Sequence, residues 1–105
     1  MAHNIRITRA ALHDLNEIAN YTLKTWGNKQ AQRYLGQLDA TIGTLRSYPH
    51  KQGRSLEGLP PGIRCLSHGK THFVFFRVHA GETTIVRILH QRRDWEALLN
   101  TDEPS

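Results

Sequence analysis

The sequence has 105 residues, 38% of them hydrophobic, and its 14 Lys and Arg against 9 Asp and Glu give a formal net charge of +5. This length suits one domain over residues 1–105, and a mean hydropathy of −0.55 without a long apolar run or a secretory signal pattern leads us to expect a soluble, cytoplasmic protein with no membrane span. The positive charge favours an acidic partner, although many ordinary small domains share it.

The N-terminal half predicts a short strand followed by two helices. Ile5 and Ile7 lie on one face of the strand, and Thr8 has a side chain suited to capping the first helix. That helix ends at Gly27, which permits a left-handed stop, and Asn28 is the expected cap of the second helix. Because the turn is so short, the two helices are expected to form an antiparallel hairpin. The second helix carries a single apolar stripe formed by Ala31, Leu35, Leu38, Ile42 and Leu45.

A second stripe on the same helix consists of the small residues Gly36, Ala40, Gly43 and Ser47. Each glycine costs about 1 kcal/mol relative to alanine in a helix interior. We therefore expect another backbone to pack closely against this stripe. The first helix is the favoured neighbour, and a helix of an external partner is the alternative.

The C-terminal half predicts three strands and a short helix. Segments rich in β-branched and aromatic residues span residues 63–68, 72–78 and 83–90. The separators Gly69-Lys70 and Ala80-Gly81-Glu82 have the composition of turns, so the strands are expected to form an antiparallel meander. Residues 94–99 predict a helix with Trp95, Leu98 and Leu99 on its apolar side. The expected fold class is therefore α+β, with a helix hairpin packed on the sheet.

The faces of the sheet depend on the lengths of its loops. A two-residue loop at Gly69-Lys70 would set Leu66 opposite Phe73 and Arg64 opposite Phe75. The face under the helices would then contain Ile63, Cys65, Val74, Phe76 and Val78. The other face would contain Arg64, Leu66, Phe73, Phe75 and Arg77. Because a contiguous exposed apolar surface usually marks a binding site, we expect this second face to bind a partner.

The position of Arg87 depends on the next loop. A three-residue loop would place Arg87 beside Phe75 and Arg64, whereas a two-residue loop would push it into the core. Burying an unpaired arginine is costly, so the first arrangement is favoured. Trp95 is expected to anchor the C-terminal segment, with contact to a partner as the alternative. The candidate partner-binding residues are Arg64, Leu66, Phe73, Phe75, Arg87, Arg92, Arg93 and Trp95.

Motifs along almost the whole chain resemble one protein family. They are residues 11–18, Tyr21-Thr22, Trp26-Gly27, Gln30-Ala31, Tyr34, Leu38, Pro49, Gly53-Arg54, Gly62-Ile63-Arg64 and residues 72–76 and 87–94. Their order and spacing, in a strand, helix hairpin and meander, resemble the RelE/ParE toxin superfamily and its ParE branch in particular. The resemblance implies the toxin of a type II toxin-antitoxin pair, held inactive by a cognate ParD-like antitoxin.

The resemblance also implies two competing mechanisms. RelE-like members cut messenger RNA on the ribosome, whereas ParE-like members poison DNA gyrase. For RNA cleavage, Arg64 and Arg87 match the basic sheet positions and His90 is a candidate general acid or base. No tyrosine follows Tyr48, although such nucleases commonly use a late tyrosine, so gyrase inhibition by binding is favoured over catalysis. A plain basic nucleic-acid-binding module, which needs no inhibitor, is a third alternative.

The remaining polar residues do not suggest a metal site or a cofactor. Cys65 is the only cysteine, which excludes an internal disulfide and disfavours structural zinc. His68, His72 and His79 lie near strand ends without the spacing of metal ligands. Asp14 and Glu17 are interpreted as part of a solvated face of the first helix.

Overall fold

The computed structural model describes residues 4–47 and 53–100. The elements are β1 (Asn4–Ile7), α1 (Arg9–Trp26), α2 (Asn28–Gly43), a 3-10 turn (Thr44–Arg46), β2 (Arg64–His68), β3 (His72–His79), β4 (Glu82–His90) and α3 (Trp95–Leu99). Within these residues, no helix is both long and apolar enough to cross a membrane. Pro49, one of the residues that carry the family resemblance, lies outside the described residues.

The boundaries of the first two helices follow from Thr8 and Gly27. Thr8 Oγ1 accepts the Ala11 N–H at 3.1 Å, so the predicted cap of α1 is confirmed, and the same hydroxyl donates to the Val86 carbonyl at 2.8 Å. Gly27 has φ of 85° and serves as both the C-cap of α1 and the N-cap of α2. The prediction that Asn28 caps α2 was wrong: with one residue between the helices, Asn28 is already helical and makes no side-chain cap bond.

The two stripes of α2 have different fates. Ala31, Leu38 and Ile42 are buried in the core, as the apolar stripe predicted. Gly36 is exposed, and a Cβ atom added at either Gly36 or Gly43 would meet no atom within 4 Å. The prediction that α1 packs closely on the small-residue stripe was therefore wrong, because α2 uses its large apolar residues for the core and turns this stripe outward.

The four strands form one sheet in the order β1-β4-β3-β2. β2, β3 and β4 make the predicted antiparallel meander, while β1 pairs with β4 in parallel and sets Ile7 beside Ile85. At the other edge, Arg54 and Cys65 exchange two backbone hydrogen bonds of 2.8 Å. The segment before β2 is therefore attached to the sheet.

The register between β2 and β3 differs from the prediction by one residue. Leu66 lies opposite Val74 and Cys65 lies opposite Phe75, because the loop contains Thr71 in addition to Gly69 and Lys70. A shift of one residue moves every side chain of a strand to the other face. Leu66 therefore packs on the helix side, whereas Cys65 lies on the opposite side.

Both faces of the sheet are covered. Under α1 and α2 the core contains Val74, Phe76, Ile85 and Ile88. On the other face, the predicted helix α3 places Leu99 on a cluster formed by Ile63, Cys65, Phe75 and Leu89. Leu56 and Leu59 pack on the same cluster from the segment before β2. The apolar second face expected to be exposed is therefore covered by the chain itself.

The connection between β3 and β4 contains two residues, not the predicted three. His79 lies opposite Glu82, and the loop residues Ala80 and Gly81 have φ of 49° and 79°. A register shift between Phe75 and Phe76 adds one residue to β4. Because of this bulge, Arg87 lies opposite Phe75, as it would have done with the predicted three-residue loop and no bulge.

Candidate functional site

Arg87 is joined to the first helix by a buried ion pair. Its Nε and Nη2 donate to the two carboxylate oxygens of Asp14 at 2.8 and 2.9 Å, and the Ile88 N–H donates to the same carboxylate at 3.0 Å. The side chains of Asp14 and Arg87 are 6% and 17% exposed. The interpretation of Asp14 as solvated was wrong, because Arg87 supplies the charge that makes its burial tolerable.

The predicted exposed row of Arg64, Phe75 and Arg87 is absent from the described surface. Arg87 does lie opposite Phe75, but Phe75 is 0% exposed and its ring lies 5.8 Å from that of Trp95. Arg64 is partly buried and donates to the Gly53 carbonyl at 3.1 Å. These side chains hold the fold together in this structure, and their predicted partner contacts are untested.

The other predicted site residues divide into two groups. Phe73 and Trp95 are half-buried and face each other on the second sheet face, where Trp95 anchors α3 as expected. Arg92 and Arg93 are exposed just beyond β4, and His90 is exposed at its end. A role for these exposed residues in partner binding stays a prediction.

A groove of about 400 Å³ lies between α1 and the ends of β3 and β4. Tyr21 and Trp26 line it from α1, and His72, His90 and Arg93 line it from the sheet side. Its volume is in the range of sites that accept a few side chains or a small molecule. The groove thus combines exposed aromatic rings with cationic and imidazole groups.

Behind the groove, Tyr34 of α2 joins the aromatic and histidine side chains. Its ring contacts those of Trp26, His68 and His72, with ring centres 6.1, 5.1 and 5.7 Å apart. The Tyr34 hydroxyl is hydrogen-bonded to His72 Nδ1 and, at 2.7 Å, to Thr71 Oγ1. His72 also contacts His90, with ring centres 5.4 Å apart. His68, His72 and His90, which the sequence placed only near strand ends, therefore lie close together beside Tyr34.

The protonation of these groups follows from their burial. Burial, together with the neighbouring His90 and His68, lowers the pKa of His72 from 6.5 to about 4. Burial also raises the pKa of Tyr34 and raises that of the Cys65 thiol to about 11. At neutral pH, His72 is therefore an uncharged hydrogen-bonding group and Cys65 is an unreactive thiol. Across residues 4–47 and 53–100, no three side chains of His, Cys, Asp or Glu are grouped as metal ligands.

Sequence reasoning missed Asp14, Tyr21 and Trp26 as site residues. Asp14 follows Ala11 by three positions and therefore lies on the apolar face of α1, which was the available signal for a buried carboxylate. Tyr21 and Trp26 are large aromatic residues outside the buried stripe, and they are 63% and 49% exposed. Exposed aromatic residues on a helix are a signal for a binding surface.

Comparisons with known proteins agree on one family. The family model described as "ParE toxin of type II toxin-antitoxin system, parDE" matches residues 5–95. Toxin ParE1 of Mycobacterium tuberculosis is 41% identical over 96 residues, covering 90% of this chain and 95% of the relative, and Toxin ParE1 of Caulobacter vibrioides is 37% identical over 94 residues with the same coverage. The solved structure "Chromosomal ParDE TA system from P. aeruginosa" has a TM-score of 0.76 and 25% identity, covering 85% of this chain and 96% of that one.

Proposed function

Since the chain belongs to the ParE toxin family of type II toxin-antitoxin systems, we propose that it inhibits DNA gyrase by binding it and that a ParD-like antitoxin neutralises it. An antitoxin partner agrees with the structural similarity to a ParDE toxin-antitoxin system. The gyrase target comes from the resemblance to ParE-like toxins, whose mechanism is inhibition rather than RNA cleavage.

The observation that carries this proposal is the pairing of Arg87 with Asp14. Metal-free RNA cleavage needs cations that hold the phosphate and stabilise its developing charge. Nε and Nη2 of Arg87 are instead directed at the Asp14 carboxylate, inside the interface between α1 and β4. A phosphate would have to compete with a buried carboxylate for this guanidinium, which disfavours the ribonuclease alternative.

The candidate acid-base residue is also poorly suited to that alternative. His90 Nδ1 accepts the Arg92 N–H at 3.0 Å, so one ring nitrogen is occupied by the turn that follows β4. No tyrosine follows Tyr48 in the sequence to replace it. Inhibition by binding requires neither a general base nor a phosphate-holding arginine.

The test compares two targets with the same purified toxin. We expect inhibition of gyrase supercoiling or trapping of cleaved DNA, and we expect that toxin mixed beforehand with its cognate antitoxin loses this effect. In an in vitro translation reaction, messenger RNA should remain intact. Codon-dependent RNA cuts together with unaffected gyrase would overturn the proposal in favour of ribosome-dependent cleavage.

A further inference from the structure

We infer that the groove between α1 and the ends of β3 and β4 is the docking site of an acidic antitoxin segment, which inserts an apolar side chain beside Tyr21 and Trp26 and directs a carboxylate at Arg93 and His90. The inference deepens the proposed function and rests on its antitoxin partner. The groove therefore takes the place of the second sheet face as the expected antitoxin-binding surface, because α3 already covers that face.

The apolar half of the argument comes from the distribution of exposed hydrophobic residues. Among the described residues, the large hydrophobic ones that are exposed all lie on α1, and of these Tyr21 and Trp26 line the groove, whereas Leu12 and Leu23 do not. Tyr21 and Trp26 pack edge to face, with ring centres 6.2 Å apart, and Trp26 rests on Tyr34 on its other side. Aromatic rings held in place by neighbours lose little freedom on binding, and such residues dominate binding energy in interfaces.

The polar half comes from the end of β4. Because a backbone N–H can only donate, His90 Nδ1 is the acceptor of the Arg92 N–H, and the neutral ring then carries its proton on Nε2. His90 therefore offers a donor, and Arg93 is exposed and lines the same groove. Paired with a carboxylate, these groups form charge-assisted hydrogen bonds. The net charge of +5 adds long-range attraction for an acidic segment.

The acidic side chains of the groove decide which kind of partner fits. Asp14 is neutralised by Arg87, but Glu17 lines the α1 wall and contacts His13 at 2.9 Å. Nucleic acid needs a continuous track of cations along its phosphates, which Glu17 interrupts. A peptide with one carboxylate near β4 and apolar side chains near α1 meets no such conflict.

The first experiment measures affinity for the cognate antitoxin, used at full length. Tyr21→Ala and Arg93→Glu should each weaken the complex roughly 10-fold or more, and Arg93→Glu should also reduce its salt sensitivity. The matched controls Leu12→Ala and Arg77→Glu alter exposed residues that do not line the groove, and they should stay within about 3-fold of wild type. Thermal melting verifies that each variant is folded.

A second measurement reports on the groove directly. Trp26 and Trp95 are the only tryptophans, so Trp95→Phe leaves Trp26 as the sole fluorophore. Saturating antitoxin should shift its emission to shorter wavelength and protect it from a soluble quencher, because Trp26 becomes buried.

Unchanged Trp26 emission and unchanged affinity in folded variants would overturn the inference. Loss of gyrase inhibition without loss of antitoxin affinity would assign the groove to gyrase instead. If the wild type self-associates and the variants lose that self-association alone, the groove belongs to a second copy. If wild-type toxin leaves gyrase unaffected while Tyr21→Ala and Arg93→Glu still lose the antitoxin, the gyrase proposal fails and the docking inference stands.

Discussion

Replacing Asp14 by Asn tests how strongly the buried ion pair holds α1 on the sheet. The substitution keeps the shape of the side chain but removes the charge that compensates Arg87, and it puts an amide donor among the three donors that face Asp14. Removing one partner of a buried ion pair costs about 3–5 kcal/mol. We expect the lower end of this range, because Arg87 is 17% exposed and water can reach part of the guanidinium.

A loss of about 3 kcal/mol is large for a domain of this size, whose total stability is about 5–15 kcal/mol. With a shift of about 4–8 °C for each kcal/mol, the melting temperature should fall by roughly 12–24 °C. Urea unfolding followed by circular dichroism measures the free energy of unfolding, and thermal melting measures the shift. The matched control is Glu17→Gln on the exposed side of α1, which should change stability by less than about 0.5 kcal/mol.

A double variant separates the ion pair from general damage to the helix. Asp14→Asn combined with Arg87→Met removes both charges and keeps an amide oxygen that can accept the Ile88 N–H, so it should recover much of the stability that Asp14→Asn alone loses. The reasoning is refuted if the free energy of unfolding of Asp14→Asn lies within about 1 kcal/mol of the wild-type value. A buried arginine without its carboxylate should destabilise the fold by more than that.

Three further predictions concern the core, the glycines and pH. Phe75→Ala should cost about 3–5 kcal/mol in the free energy of unfolding, because the ring is fully buried. Gly53→Ala should lower the free energy of unfolding by about 2 kcal/mol or more, since φ is 70° and the new Cβ would lie 2.7 Å from the Cys65 carbonyl oxygen. In the same assay, Gly36→Ala should raise the free energy of unfolding by roughly 0.5–1 kcal/mol, because a Cβ there meets no atom. The pKa of His72 falls from 6.5 to about 4 on folding, so the unfolded state binds the proton at a higher pH than the folded state does. Stability should therefore fall as the pH drops from 6.5 to 4. His72→Gln should flatten that part of the pH profile of the melting temperature.

The helices could be predicted from the sequence because their signals are local. The cap at Thr8, the stop at Gly27 and the buried Leu38 follow from residues within a few positions of one another. Asn28 was misassigned because Gly27 alone separates the helices and leaves no room for a separate cap.

The faces of the sheet could not be predicted from the same kind of pattern. Both faces are apolar, so alternation does not distinguish them, and parity depends on a loop length that differs by Thr71 and on a bulge beside Phe75. The additional loop residue moves Leu66 to the other face of the sheet, and the bulge does the same for Arg87. Neither effect can be recognised from the residues that flank Leu66 or Arg87 in the sequence.

The groove was missed because its residues are far apart in the sequence. Tyr21, His72 and Arg93 come from three segments that only the fold brings together. Composition shows that aromatic and basic residues exist, but the packing of α1 on β4 determines which of them meet. Asp14 was visible on the apolar face of α1, and its partner could only be identified once Arg87 was placed.

The reliance of α1 on β4 also constrains how the chain folds. The helix hairpin can form early from contacts between neighbouring residues, but Asp14 stays in water until Arg87 arrives from 73 positions along the chain. The pairing of Ile7 with Ile85 closes a loop of similar length. The chain loses conformational entropy in closing that loop before the contact contributes any stabilisation. We therefore expect formation of β4 to limit the rate of folding, because the helices take up their final position on the sheet only when that strand is complete.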